Sequence, residues 1–304
     1  MVDFNQETMA FWSDKITPFP GNGTLKCGKN MLVIDKPLVM GILNLTPDSF
    51  YDGGHFTNAD SWISQTEKMI SEGASIIDLG AVSTRPGAEF VSEEEEINRL
   101  LPVIHLLTKR YAKMVFSVDT FRSQVAKLAA DAGAGLINDI SGGSMDTELL
   151  KTVGEAGLPY ILMHIQGTPS TMQLNPQYSE VTTEVCHFFT QKLADTSQAG
   201  IRDVILDPGF GFGKTIEHNY QLLNGLSTFK QFGCPVLVGL SRKSMIYKLL
   251  QITPDEALSA TSALHILGII NGADILRVHD VKEAVQVINL AKMYAGQHKV
   301  KDEK

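Results

Sequence analysis

The stretch DVILDPGFGFGKT, Asp203 to Thr215, supports two readings that lead to two different folds. Its last three residues are those of a phosphate-binding P-loop, which would place it in an open nucleotide-binding sheet. That loop requires a glycine five positions before the Gly of Gly-Lys-Thr, and here the position is Pro208. The dinucleotide fingerprint G-x-G-x-x-G fails as well, because Gly209, Gly211 and Gly213 alternate with other residues. What remains is a short apolar run that ends in a carboxylate, Asp207, and continues into a flexible turn.

The same pattern recurs on both sides. Short β-branched or Leu-rich runs occur at 38–46 (LVMGILNLT), 74–81 (ASIIDLGA), 114–120 (MVFSVDT), 135–141 (GLINDIS), 159–166 (PYILMHIQ), 203–210 (DVILDPGF), 235–241 (PVLVGLS) and 273–280 (ADILRVHD). They are nearly all apolar, as strands buried on both faces are. Helical patterns separate them. Ser92 reads as the N-cap of SEEEEINRLLPVIHLLTKRY with Glu95 as its capping-box partner, and the Glu93 to Glu96 run suits the positive end of the helix dipole. Gly133 ends FRSQVAKLAADAG, while Thr253 and Pro254 read as cap and first residue of the helix that follows. Eight strand–helix repeats imply a closed TIM (β/α)8 barrel, with a doubly wound open sheet as the alternative. Thr24 to Ile34 reads as two short strands around Gly28-Lys29-Asn30, a hairpin that would cover the barrel bottom. The division expected is an N-terminal extension and hairpin over 1–36 and a barrel over 37–304, one domain overall.

The chain has 304 residues, within reach of a single large barrel of about 250 residues plus additions. A net charge of −8 without a basic cluster argues against a nucleic-acid partner. The first residues lack the apolar core of a secretory signal, and no apolar run is long enough to span a membrane. Cys27, Cys186 and Cys234 form no C-x-x-C pair, which fits reduced, buried thiols and a cytoplasmic location.

Barrel active sites lie where strands end and the following loops begin. Polar residues interrupt the runs there: Asn44, Asp78, Asp119, Asn138 with Asp139, His164, Asp207, Ser241, and Arg277 with His279. Asp119, Asn138 and Asp207 can present acceptors and donors to the edge of a planar heterocycle. Arg85, Lys243, Arg277 and His279 add positive charge suited to a phosphorylated or carboxylated substrate. Ser241 to Ser244 opens a helix at a strand end, where free N–H groups favour an anion. No HExxH or cysteine cluster supports zinc, whereas Asn44 is a hard oxygen donor of the type Mg²⁺ accepts beside phosphate and water. His105 and His265 fall within helical apolar patterns and read as packing residues.

From Leu38 to Ala295 the sequence resembles the dihydropteroate synthase family. The resemblance is carried by GILNLTPDSFYDGG (Gly41 to Gly54), STRPGA (Ser83 to Ala88), SVDT, INDISGG, MHIQGTP, DPGFGFGKT, GLSRKSMI and RVHD, in the family's order. It implies a TIM barrel that condenses 6-hydroxymethyl-7,8-dihydropterin pyrophosphate with p-aminobenzoate, with Mg²⁺ as cofactor and a homodimer as the assembly. It also implies that Asp119, Asn138, Asp207 and Lys243, with Met163 and Phe212, hold the pterin. Asn44, Arg277 and His279 would meet the pyrophosphate end, with Asn44 also binding Mg²⁺, and Thr84, in the second loop, belongs to the set for the pterin pyrophosphate. Ser241, Arg85, Phe50 and Pro86 would meet p-aminobenzoate, and Asp119, Lys243, Arg277 and His279 would carry catalysis. Val82 departs from the pattern, since many relatives have Glu before STRPG. A corrinoid-linked methyltetrahydrofolate methyltransferase would share the pterin set but has no need of TPDSF, STRPG or the basic pyrophosphate end. A catalytically silent pterin binder would not need to keep Asn44, Arg85, Lys243, Arg277 and His279 together.

Overall fold

A computed structural model describes residues 23–45, 58–82 and 91–298. Two antiparallel strands, β1 (Gly23–Cys27) and β2 (Asn30–Ile34), precede eight parallel ones. These are β3 (Leu38–Asn44), β4 (Ile76–Gly80), β5 (Val115–Asp119), β6 (Leu136–Asp139), β7 (Tyr160–Met163), β8 (Val204–Asp207), β9 (Leu237–Val238) and β10 (Ile275–Val278). Their order is β8-β7-β6-β5-β4-β3-β10-β9, so each strand lies beside its neighbour in sequence and β10 returns to β3. The ring closes through a parallel bridge between Leu206 and Val236, with the Leu206 N–H donating to Pro235 O at 2.9 Å. The closed barrel is the fold; the open doubly wound sheet is excluded by the β10–β3 pairing and this bridge.

Helices lie between the strands: α1 (Asn58–Glu72), α2 (Glu93–Arg110), α3 (Ser123–Asp131), α4 (Leu149–Ala156), α5 (Val181–Gln198), α6 (Ile216–Asn224), α7 (Ser244–Leu250), α8 (Leu258–Ile270) and α9 (Val281–His298). Ser92 caps α2 by accepting from the Glu95 N–H at 3.2 Å. Gly133, at φ +98°, follows the end of α3 where a side chain would be strained. The Glu95 carboxylate pairs with Arg99 Nε at 2.8 Å where the sequence reading made it the capping-box partner of Ser92, and other details differ as well. The Thr253 hydroxyl donates to Glu256 Oε2 at 2.8 Å instead of capping, and a 3₁₀ turn (Asp255–Ala257) precedes α8. The seventh barrel strand is short, Leu237–Val238, and Val236 before it forms the bridge to Leu206.

One inward side chain from the lower end of every barrel strand enters a single buried cluster: Met40, Ile76, Val115, Leu136, Ile161, Ile205, Leu237 and Ile275. Leu25, Cys27, Leu32 and Ile34 of the hairpin complete that cluster, so the hairpin stoppers the barrel floor. Gly28, at φ +60°, makes its tight turn, and Asn30 Nδ2 fastens it to Ala112 O at 3.0 Å. The sequence reading placed Asn30 in the turn; it begins β2 instead. All three cysteines are unpaired, but only Cys27 is fully buried. No helix among the described residues is long and apolar enough to cross a membrane.

Candidate active site

Strand geometry decides which polar residues reach the barrel mouth. Successive side chains alternate faces, so residues two and four beyond an inward one share its face. Counting up from Ile76, Leu136, Ile161, Ile205 and Ile275 gives Asp78, Asn138, Met163, Asp207 and Arg277. Counting four from Met40 and Val115 gives Asn44 and Asp119. The same count puts Asp139 and His164 on the other face, and their partners agree. Asp139 accepts from the Ser141 and Gly143 N–H groups and from Tyr160 Oη at 2.6 Å, a structural role.

The inward groups form one polar network. Asp78, fully buried on β4, accepts at Oδ2 from Asn138 Nδ2 at 3.0 Å and from Arg277 Nε at 2.7 Å. Arg277 Nη2 also donates to Asp119 Oδ2 at 3.0 Å. One guanidinium thus serves two carboxylates. Burial raises the Asp119 carboxyl to about 7 although Arg277 opposes the shift, and Asp78 adds to it. Asp119 is therefore poised to lose its proton when further positive charge arrives. Asp78 stood among the polar strand ends in the sequence but not in the expected site set. Its place as the link between Asn138 and Arg277 follows from the alternation of β4, a signal the sequence already held.

Asp207 ends β8, and its Oδ1 accepts from the Gly209 N–H at 2.8 Å. Burial raises its pKa, opposed by Lys243, the Gly209 N–H, Arg277 and Lys214 in that order. Lys243 lies with its Nζ 4.5 Å from the Phe212 ring centroid and bonds Phe210 O. Burial brings the Lys243 ammonium down to about 8, with Asp207 raising it and Arg277 lowering it. A carboxylate, an amide, an ammonium and an aromatic face thus stand together where a flat, hydrogen-bonding ring can be read. Gly209, Gly211 and Gly213 all have positive φ. A Cβ on Gly209 would lie 1.9 Å from His164 O, so only glycine permits this backbone approach.

Lys214 does not open the following helix towards a phosphate; it turns inward and is buried, and Thr215 is the cap of α6. In the basic turn after β9, two of the backbone donors are already engaged. The Arg242 N–H donates to Thr261 Oγ1 at 3.1 Å and the Lys243 N–H to Leu240 O at 3.3 Å, so these backbone donors are not free for an anion. Arg242, at φ +53°, is clamped by both carboxylate oxygens of Asp280 at 2.8 and 2.9 Å. Ser241 Oγ and His279 Nδ1 are 3.1 Å apart, which joins the ends of the last two strands. His265 is a packing residue, buried on α8.

Asn44 ends β3 and is exposed to the mouth. Its Oδ1 and Asp119 Oδ2 lie 3.7 and 3.9 Å from the position a Cβ on Gly80 would take, so two hard oxygen donors border Gly80. That donor set suits Mg²⁺, which binds through one or two protein oxygens and completes its shell with phosphate and water. Among the described residues there is no group of three His, Cys, Asp or Glu able to hold a metal alone. Phe50, Thr84, Arg85 and Pro86 lie outside the described residues.

The family model of the pterin binding enzymes matches residues 40–279. A dihydropteroate synthase of Escherichia coli (strain K12) is 46% identical over 263 residues, covering 86% of this chain and 93% of its own. The solved dihydropteroate synthase of Yersinia pestis in complex with a sulfonamide drug superimposes with a TM-score of 0.85 at 43% identity, over 90% of this chain and 100% of that one. That of Xanthomonas albilineans with 4-aminobenzoic acid gives 0.84 at 39% identity, over 90% and 98%. The chain belongs to the pterin-binding enzymes and, within them, to the dihydropteroate synthase family.

Proposed function

We infer that the chain is a transferase that condenses 6-hydroxymethyl-7,8-dihydropterin pyrophosphate with p-aminobenzoate, giving 7,8-dihydropteroate and pyrophosphate. The observation that carries the reading is the division of one mouth into two chemistries. A ring-reading set, Asp207, Asn138 and Lys243 beside Phe212, shares the mouth with Arg277 and Asn44, where a pyrophosphate and its metal would sit, and Asp119, bonded to Arg277, serves the ring.

The bond from the pterin methylene to the pyrophosphate oxygen breaks, and the arylamine nitrogen forms the new bond and gives up one proton. Loss of the leaving group puts positive charge on the ring. The ionised Asp119 carboxylate stabilises that charge, and the charge in turn favours its ionised form. Arg277 Nη1 takes no part in the bonds to Asp78 and Asp119, so it can meet the leaving group without breaking them. His279 stands two residues beyond at the same strand end. Mg²⁺ bound at Asn44 would neutralise charge on the departing phosphates. The arylamine is already uncharged near neutral pH, so the site needs no strong base. Ser241, hydrogen-bonded to His279, would receive the p-aminobenzoate carboxylate. Thr84, Arg85, Phe50, Pro86 and Met163 complete the proposed contacts.

A cytoplasmic homodimer belongs to the same proposal. Leu290, Met293 and Tyr294 on α9 are 66%, 67% and 52% exposed and share one helix face, which a second copy would cover. Titration calorimetry with dihydropterin pyrophosphate and Mg²⁺ tests the site. Asp207→Ala should weaken binding roughly ten- to a hundredfold by removing charge-assisted hydrogen bonds. Undiminished affinity would show that Asp207 does not read the ring.

A further inference from the structure

The carbonyls of Gly209 to Gly213 have an unusual set of partners. Each accepts from a side chain: Gly209 O and Phe212 O from Lys214, Phe210 O from Lys243, Gly211 O from Gln173 and Gly213 O from Tyr178. Within the turn only the Phe212 N–H, donating to Gly209 O at 3.1 Å, serves these carbonyls, and glycine leaves the backbone free to collapse into other shapes. Lys214 holds two of the five from inside. Its Nζ lies 3.0 Å from Gly209 O, 3.0 Å from Phe212 O and 2.9 Å from His164 Nδ1; burial lowers the ammonium to about 7, and in its charged form its three N–H groups meet three acceptors. Its side chain is buried, and the site reading gives it no contact with either substrate.

We propose that Lys214 is a positioning residue for ring recognition: with His164 as its anchor, it fixes the glycine turn that sets Asp207 and Phe212 at the pterin site. The two peptides it grips bracket Gly211, one leading from Gly209, whose N–H holds Asp207, and the other from Phe212, whose ring faces Lys243. His164 is itself fixed, since its N–H donates to Asp207 O at 2.9 Å and its ring packs edge-on against Phe188 at 4.9 Å. Burial and then the neighbouring Lys214 push the His164 imidazole down to about 2, so it is neutral and its Nδ1 lone pair accepts from the ammonium. The lysine that makes DPGFGFGKT look like a phosphate loop is thus an internal strut. Arg277, Asp119 and Asn44 stand on other strands and keep their geometry without it.

The proposal rests on the pterin reading of the mouth, and steady-state kinetics on the full chain separate the two. Wild type and Lys214→Met are compared, together with His164→Asn, which keeps an acceptor at the Nδ1 position, and His164→Leu, which does not. Lys214→Met is expected to raise KM for dihydropterin pyrophosphate by about tenfold or more, with kcat within about threefold and KM for p-aminobenzoate unchanged. His164→Leu should follow Lys214→Met, and His164→Asn should stay near wild type; this pair decides the matter if Lys214→Met does not fold. Unchanged KM in Lys214→Met, or an equal rise in both His164 variants, overturns the strut. A wild-type chain that makes no dihydropteroate overturns the pterin reading itself.

Discussion

At the residue scale, the polar groups of the mouth act through their neighbours more than singly. Asp78 is fully buried, and its one oxygen holds both Asn138 and Arg277. Its other oxygen, Oδ1, is buried without a hydrogen-bond partner, a cost that the two bonds at Oδ2 must offset. Removing it leaves a half-buried guanidinium with Asp119 alone. Asp78→Ala should lower unfolding stability by about 3 kcal/mol in urea titrations and weaken the substrate that Arg277 serves. A variant as stable as wild type would mean that Asp119 alone satisfies Arg277. Asp119, Asn138, Asp207 and Arg277 were legible because each interrupts an apolar run, and Lys243 because its charge follows a strand end. Asp139 and His164 interrupt their runs too, but alternation turns them outward, so interruption without a face count over-reads the site. Lys214 escaped the reading because its neighbours in sequence say nothing of the carbonyls that fold back over it.

At the element scale, the strands and helices follow from local signals, and the departures occur where a long-range contact wins. Ser92 caps α2 as its sequence directs, and Ser92→Ala should cost about 1 kcal/mol in thermal or urea unfolding without changing activity. Thr253 has the right identity for a cap, but its hydroxyl is taken by Glu256. The turn after β9 looks like an anion site by its position at a helix start. Thr261, in the first turn of α8 and 19 residues on, takes the Arg242 N–H, and nothing local announces that. In the turn after β8, Gly209→Ala places a Cβ against His164 O, so pterin affinity should fall in calorimetry more than the affinity for p-aminobenzoate does. An alanine variant with normal pterin binding would show that the close approach is dispensable.

At the scale of the molecule, the barrel's closure was legible from the number and order of its strands. The register that brings Leu206 beside Val236 was not, since pairing between distant segments leaves no mark in either one. One buried residue makes the whole chain sensitive to acid. His265 is 2% exposed on α8, and neither ring nitrogen has a hydrogen-bond partner. Burial lowers its pKa from 6.5 to about 4, with Asp280 opposing. The unfolded chain therefore takes up this proton first as pH falls. The contribution of His265 is intact above 6.5 and is lost as pH drops through that value towards 4. Buried carboxyls such as Asp119, raised to about 7, act in the opposite sense, so the variant must be compared with wild type at each pH. His265→Leu should gain ~1–2 kcal/mol at pH 8 by removing unpaired polar atoms, and ~2 kcal/mol more at pH 5. Equal gains at both values would show that the imidazole does not titrate as its burial dictates.

The central claim is that the mouth of this barrel joins a dihydropterin methylene to an arylamine with departure of pyrophosphate. Purified chain with Mg²⁺, dihydropterin pyrophosphate and p-aminobenzoate allows pyrophosphate and 7,8-dihydropteroate to be followed in the same reaction. The account predicts that the two products accumulate one for one and that both are abolished or greatly slowed in Asp207→Ala at low pterin concentration. Pyrophosphate released with no dihydropteroate formed, or neither product from the wild-type chain, would contradict it.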